Sequence, residues 1–375
     1  MSNAVAGLLV IGLEQAVAAP LCTCRLADAG ARVIKVERPE GDFARNYDSV
    51  VHGESAYFVW LNRGKESLVL DLKDEGDFVL LLKLIGAADV LVQNLKPGAL
   101  ERLRLSAERL TSLNPRLVVC NVSGYGASGP LAERKAYDLL IQAESGLASV
   151  TGSHHEPGRV GVSICDIATG MYAYEAILEA LLIRARTGRG AVIDVSMFDA
   201  MADFLAVPLL QYDYGGKVAD RLGLRHATIA PYGLFVTRDG VHILIGIQNV
   251  REWSAFCRHF LGAEGMASDP RFHSNEARVA NRALLEERIG AAFASLSRAE
   301  AIARLERAET AFASLNDMAA LSKHPHLRRT ACDMASGPIW MPAPPAIWRD
   351  ADCALGPVPG IGQHSAEIRR EFASR

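Results

Sequence analysis

Through the first third of the chain, apolar residues come in short continuous runs separated by longer amphipathic stretches. LLVIGL (8–13), RVIKVER (32–38), SLVLDL (67–72), DVLVQNL (89–95) and RLVVCNVSG (116–124) have the length and β-branched content of strands. Between them, 18–30, 75–87 and 97–114 read as helices. Gly30 closes the first, with Asp28 in its last turn. Pro97 suits the first turn of the third, where its missing N–H costs nothing. Continuously apolar strands alternating with helices predict an α/β fold with a parallel sheet covered on both faces.

The pattern continues through a Gly-rich loop at 124–137, a helix at 138–148 and a polar turn, TGSHHEPGR, at 151–159. An apolar, strand-like run, VGVSIC (160–165), ends in Asp166. A long helix is predicted from Ile167 to Thr187, with Met171, Tyr174, Ile177, Leu178, Leu181 and Leu182 on one side, and Gly188 and Gly190 stop it. A strand at 191–197 and a helix at 198–211 follow. After Gly215 the texture changes. IAPYGLFV (229–236) and VHILIGI (241–247) read as antiparallel strands around Arg238-Asp239-Gly240, followed by helices at 250–261, 275–295 and 298–309. The chain thus divides into a large first domain (1–214), a smaller α+β domain (215–325) and a Pro-rich return arm (326–375). No internal repeat is present.

Composition narrows the function classes. The 375 residues suffice for about two domains, and 50% hydrophobic with 22% charged residues is ordinary globular usage. The net charge of −3, from 40 Lys+Arg against 43 Asp+Glu, advertises neither a nucleic-acid partner nor an anionic membrane surface. An anion must therefore be caught by a few placed cations. Residues 6–22 lack a positive leader and contain Glu14, so they read as a buried strand, Gly7–Leu13, not as a signal peptide. No apolar run is long enough to cross a membrane. The seven cysteines, Cys22, Cys24, Cys120, Cys165, Cys257, Cys332 and Cys353, are scattered without a C-x-x-C. Reduced thiols in a cytoplasmic protein are expected, with neither disulfides nor a metal site.

Several residues could carry chemistry. Asp166, between an apolar run and a long helix, is either an N-cap or a carboxylate nucleophile whose ionised form the helix N-terminus supports. Lys35, Arg38, Arg63, Lys65, Arg102, Arg104, Arg134 and Lys135 lie at strand ends or in loops. Arg38 and Asn94 end two predicted strands, where open parallel sheets bind ligands, and an Arg fork suits phosphate. Arg104 and Arg134 read as solvated surface. The first turn, GLEQAVAAP, lacks the G-x-G-x-x-G of a dinucleotide site. Arg225-His226 is either a linker pair or a clamp on a substrate carboxylate. His154-His155 has no third ligand at metal spacing. Ser123-Gly124-Tyr125-Gly126 lacks the nucleophile elbow of a hydrolase.

Taken in order, GLLVIGLEQAVAAPLCTCRLADAGARVIKVERPEGD, NRGKESLVLDLK (62–73), ADVLVQNLKPGALERL (88–103), NPRLVVCNVSGYGASGP (114–130), YDLLIQAESGL (137–147), ICDIATGMYAYEAILEALLIRARTGRGAVIDVSMFDAM (164–201) and GPVPGIGQHSAEI (356–368) resemble the class III CoA-transferases over nearly the full length. That is the family of formyl-CoA and carnitine CoA-transferases. The resemblance implies a Rossmann-like large domain built from both chain ends, a smaller domain between, and an obligate homodimer of interlocked rings. It places Asp166 on the catalytic aspartate, which forms a mixed anhydride and then an aspartyl-CoA thioester. It places Arg38, Asn94, Arg102, Leu103, Lys135 and Tyr137 on CoA contacts and Asp138 beside the active site. CoA is then a substrate, and no tightly bound cofactor is implied. Gln15 and Val17 stand where some members carry His and Gln, which suggests a different acyl pocket. GLRHATIAPYG and IGIQNVREW resemble the branch acting on mesaconate, citramalate or itaconate, with Arg225 and His226 suited to a second carboxylate and intramolecular mesaconyl-CoA transfer as one form. Two alternatives stay open: a 2-methylacyl-CoA racemase pairing Asp166 with His154 or His155, and a non-catalytic CoA-binding protein.

Overall fold

The computed structural model describes residues 4–349 and 354–373; Cys353 lies outside them. Six parallel strands, β1 (Leu9–Leu13), β2 (Arg32–Glu37), β3 (Lys65–Val69), β4 (Val90–Gln93), β5 (Val118–Ser123) and β6 (Ala191–Ser196), form one sheet in the order β3-β2-β1-β4-β5-β6. The order reverses between β1 and β4, so ligands are expected beyond the carboxyl ends of these strands.

Both faces of the sheet are apolar because alternate residues of each strand point to opposite sides. Ile11, Ile34, Leu91 and Val119 meet Phe78, Leu81 and Ile85 of the helix Glu75–Ala87, together with Ile368 and Phe372 of the last helix, Ser365–Ala373. On the other face Val10, Val33, Val90 and Val118 meet Cys22 and Leu26 of the first helix, Ala18–Asp28, and Ala173 and Ile177 of the long helix, Ile164–Thr187. The last helix returns to the first strands through charge as well: Arg32 makes paired bonds to Glu66 and Glu371 at 2.8–2.9 Å.

The chain separates into two compact units. One runs to Ala148, resumes from Arg159 to Leu210 and takes the chain from Arg328 onward; the other comprises Ser149–Gly158 and Gln211–Leu327. The turn Ser149–Gly158 thus groups with the second unit, although a boundary at 214 leaves it in the first. The second unit holds an antiparallel sheet of β7 (Tyr232–Val236), β8 (His242–Gly246) and β9 (Ala311–Ser314). Its core stacks Phe235 on Phe293 and Phe256 on Phe260. The arm of the first unit carries two further antiparallel strands, β10 (Arg329–Cys332) and β11 (Ile339–Pro342).

Local departures from the sequence reading have physical causes. Residues 97–114 form two helices, Ala99–Arg102 and Ala107–Leu113, because Arg104 adopts a left-handed φ of 58° between them. The segment 275–295 also breaks, into Asn275–Ala280 and Arg282–Ala294, at Asn281, whose ψ of 28° leaves the helical range. The helix Ala56–Asn62 buries Phe58, Val59 and Leu61, and its few residues carry too little periodicity to be read in advance. Residues 160–165 are not a strand, since the long helix already begins at Ile164. The six described cysteines are free and buried. Among the described residues no helix is long and apolar enough to cross a membrane.

Candidate active site

A cleft of about 640 Å³ opens at the carboxyl ends of β1 to β4. Gln15 follows β1, Arg38 follows β2, Lys73 follows β3 and Lys96 follows β4, with Arg102 and Leu103 closing the side. Arg38, Lys73, Lys96 and Arg102 are exposed and give it a concentration of cations suited to phosphate. Lys73 and Lys96 escaped the sequence reading. They lie in the loops that follow β3 and β4, as Arg38 lies in the loop after β2, which was the available signal.

Other cations proposed from sequence are neutralised inside the protein. Lys35 is fully buried and donates to Asp42 at 2.8 Å and to the Glu14 carbonyl at 3.2 Å. Lys65, equally buried, donates to Glu14 Oε1 at 2.7 Å. Two cations and two carboxylates therefore make a neutral quartet below the cleft. Burial alone pushes the Glu14 carboxyl up, but Lys65 and Lys35 hold it below its ordinary value. Arg63 is paired with Asp28 at 2.5 Å. Burial also works against Glu37, yet the Arg45 fork keeps it at about 2. Arg104 and Arg134 are exposed partners of Glu75 and Glu144.

The quartet also shapes the turn after β1. Asp42 Oδ1 accepts from Ala16 N at 3.2 Å, and Ala16 has a left-handed φ of 63°. Both ends of the Asn94 amide are engaged by the Gln15 main chain. Asn94 is thus a clamp on the turn, with its amide already committed. Val17 is buried against Leu21 and Leu61, with Ile167 beside them, so its side chain serves packing. The turn Gln15–Val17 connects the cleft to the start of the long helix.

Asp166 sits in that start. Ser163 occupies the N-cap position and Asp166 is the third residue of the helix, which corrects the N-cap reading. Gly170, one turn later on the same face, packs so closely on the first helix that a Cβ there would lie 2.6 Å from the Ala18 carbonyl. Asp138 Oδ1 accepts from Cys165 N at 2.8 Å and Asp166 N at 3.3 Å, while Oδ2 accepts from Gln142 Nε2 at 2.7 Å. Burial, followed by the charge of Asp138, pushes the Asp166 carboxyl up to about 7. The helix N-terminus does not keep this carboxylate in its ordinary range, because a second anion takes the N–H groups and the site is largely desolvated. Tyr47 is nearby. Burial first, then the charges of Asp42 and Asp166, push its phenol to about 12. Lys135 and Tyr137 precede Asp138; both are exposed, Tyr137 by 63%.

The sequence model of CoA-transferase family III matches residues 5–365. This chain belongs to that family. Acetyl-CoA:oxalate CoA-transferase of Acetobacter aceti is 38% identical to it, over 98% of this chain and 95% of the relative. Succinyl-CoA:glutarate CoA-transferase of Mus musculus is 33% identical, over 97% and 85%. Succinyl-CoA:mesaconate CoA-transferase of Haloarcula hispanica is 36% identical, over 75% and 73%. The crystal structure of a CAIB/BAIF family protein from Brucella suis shares the fold with a TM-score of 0.85 at 35% identity, covering 99% of this chain and 100% of that one.

The family III chain is therefore an enzyme that moves CoA between an acyl-CoA and a carboxylic acid. In its second unit, Arg225 donates to Glu286 at 2.8 Å. His226 stacks on Tyr232, and its Nδ1 accepts from Thr228 N at 3.2 Å. Neither side chain is unpartnered. His154 and His155 lie in the exposed turn Ser149–Gly158, with ring centroids 5.5 Å apart.

Proposed function

We propose that this family III enzyme transfers CoA to a dicarboxylic acid through covalent states on Asp166. The carrying observation is the Asp166 carboxyl, largely desolvated and shifted to about 7, in the first turn of a helix whose Ile167 packs on the turn that leads out of the cationic cleft. Desolvation makes a carboxylate more basic and so a better nucleophile. Asp166 attacks the thioester carbonyl, forming a mixed anhydride and releasing CoA thiolate. The thiolate attacks the aspartyl carbonyl and expels the donor acid. The acceptor acid then reverses both steps. In this reading Arg38, Arg102, Leu103 and Lys135 hold CoA, and Tyr137 borders its path. Lys73 and Lys96 add charge to the same cleft.

The acids named for the three relatives, oxalate, glutarate and mesaconate, are all dicarboxylates, which supports the substrate class. Within it, we favour a C-branched acid: mesaconate, citramalate or itaconate, with intramolecular transfer in mesaconyl-CoA as a special case. Arg225 would serve a second carboxylate by exchanging Glu286 for substrate. Arg225→Ala should then weaken dicarboxylate use and spare a monocarboxylate; equal loss on both counts against that role. We further propose an obligate homodimer. Leu182 is 68% exposed, and Ile183 and Phe204 are also uncovered, apolar side chains that a second copy would cover. Light scattering at micromolar protein tests this, and a stable monomer refutes it.

The decisive experiment mixes the protein with succinyl-CoA and a panel of acids and identifies the products by mass spectrometry. New acyl-CoA from the wild type but not from Asp166→Ala supports the reading, and the best acceptor names the acid. Turnover by Asp166→Ala overturns it.

A further inference from the structure

The pairing of Asp138 with the first turn of the long helix has a chemical consequence beyond pH. Asp138 lies 28 residues before Asp166, yet its Oδ1 accepts from the main-chain N–H groups of both Cys165 and Asp166. A buried amide, Gln142, fixes its other oxygen at 2.7 Å and is itself held by Val160 N at 2.8 Å. The carboxylate is therefore built into place beside Asp166 and takes the donors that would otherwise stabilise the Asp166 anion. Among the described residues, the titratable groups that act on this turn are Asp138, the Cys165 thiol and the Tyr47 phenol, and apolar Val17, just before the first helix, and Leu21 within it pack beside Ile167. No cation among them neutralises the pair.

We propose that Asp138 is a positioning residue whose fixed negative charge makes the free Asp166 carboxylate costly and so drives its conversion to the neutral aspartyl-CoA thioester. This rests on the covalent reading above. In the step concerned, CoA sulfur bonds to the Asp166 Cγ of the mixed anhydride. The bond from Cγ to the bridging oxygen breaks, and the donor acid leaves with the electron pair as its carboxylate. Over the first half-reaction one carboxylate, that of Asp166, disappears and another, that of the donor acid, is released to water. The repulsion between Asp138 and Asp166 is relieved when Asp166 becomes neutral, whether by a proton or by an acyl bond. The same free energy therefore raises proton affinity and covalent CoA loading together.

Two readouts test the linkage. The first is the fraction of protein carrying covalent CoA, by intact-mass spectrometry, at a fixed ratio of succinyl-CoA to succinate without acceptor. The second is the acidic limb of the pH–rate profile. Asp138→Asn and Asp138→Ser remove the charge and keep an oxygen that can accept from the helix. Each is expected to lower the ratio of loaded to free enzyme about tenfold and to move the acidic limb down by about one unit. Asp138→Glu should restore part of both. A loss of rate at every pH, with the limb and the loaded ratio unmoved in whichever neutral variant folds, overturns the proposal and leaves Asp138 a structural cap. If neither neutral variant folds, Asp138→Glu decides: an unmoved limb together with a changed loaded ratio also overturns it. Covalent loading or turnover by Asp166→Ala is a different failure, because it removes the covalent reading itself.

Discussion

Asn94 and Gln15 form a closed two-way bond: Asn94 Oδ1 accepts from Gln15 N at 2.9 Å, and Asn94 Nδ2 donates to Gln15 O at 2.8 Å. Asn94 follows β4 and Gln15 follows β1, so the bond bridges the two strands where the sheet order reverses. Asn94→Leu leaves both main-chain groups without partners and should destabilise the protein by about 1–3 kcal/mol. Urea unfolding measures that loss. Acyl-CoA turnover should fall at the same time, since the turn joins the cleft to Asp166; an unchanged kcat/KM counts against this role for the turn.

A second contact sets how close Asp166 stands to that turn. A methyl group on Gly170 would meet the Ala18 carbonyl at 2.6 Å and Leu21 Cβ at 2.9 Å. Gly170→Ala forces the first and long helices apart, at a cost of about 1–3 kcal/mol typical of overpacking. Thermal unfolding should show a lowered Tm. Gly290→Ala, with open space around its Cβ position, is the matched control and should keep or raise it.

Free and neutralised cations should behave differently. Arg38→Ala, Lys73→Ala and Arg102→Ala are each expected to raise the KM for acyl-CoA about three- to tenfold, with little change in stability. The effect should shrink as salt rises, and steady-state kinetics at two ionic strengths would show it. Lys35→Met instead leaves Asp42 buried beside a missing partner and should destabilise folding by about 3–5 kcal/mol. If Lys35→Met folds normally and only KM changes, the buried quartet has been misjudged.

The Asp166 shift gives opposite pH signs for activity and stability. Activity should rise with pH through about 7, as the nucleophile deprotonates. Its carboxyl binds a proton more tightly in the folded than in the unfolded protein, so its contribution to stability is fully present below about pH 4 and is lost as pH rises through about 7. Asp166→Asn removes that loss. Denaturation should find it about 2–4 kcal/mol more stable than wild type at pH 8 and near wild type at pH 4. Equal stability at both pH values would contradict the shift.

Much of the first unit was legible along the chain. The continuous apolar runs identify β1, β2, β4 and β5, because strands covered on two faces have no polar side to interrupt them. Arg38 could be placed at a strand end by position alone. The short strand β9 and the helix Ala56–Asn62 could not be read, since four to seven residues carry no clear period and their packing comes from distant segments.

By itself the sequence determined the order of strands and helices in the first unit, the position of Asp166 at the head of a long helix, and a pattern specific to family III CoA-transferases. These follow from local periodicity and linear spacing. Only the tertiary structure decided which cations face solvent and which are neutralised, as Lys35 in β2 and Arg38 just after it show. It alone brought Asp138 to the N–H groups of Cys165 and Asp166 and reversed the expected effect of the helix end. Burial and charge pairing depend on distances through space, and those distances exist only after residues far apart in the chain have packed together.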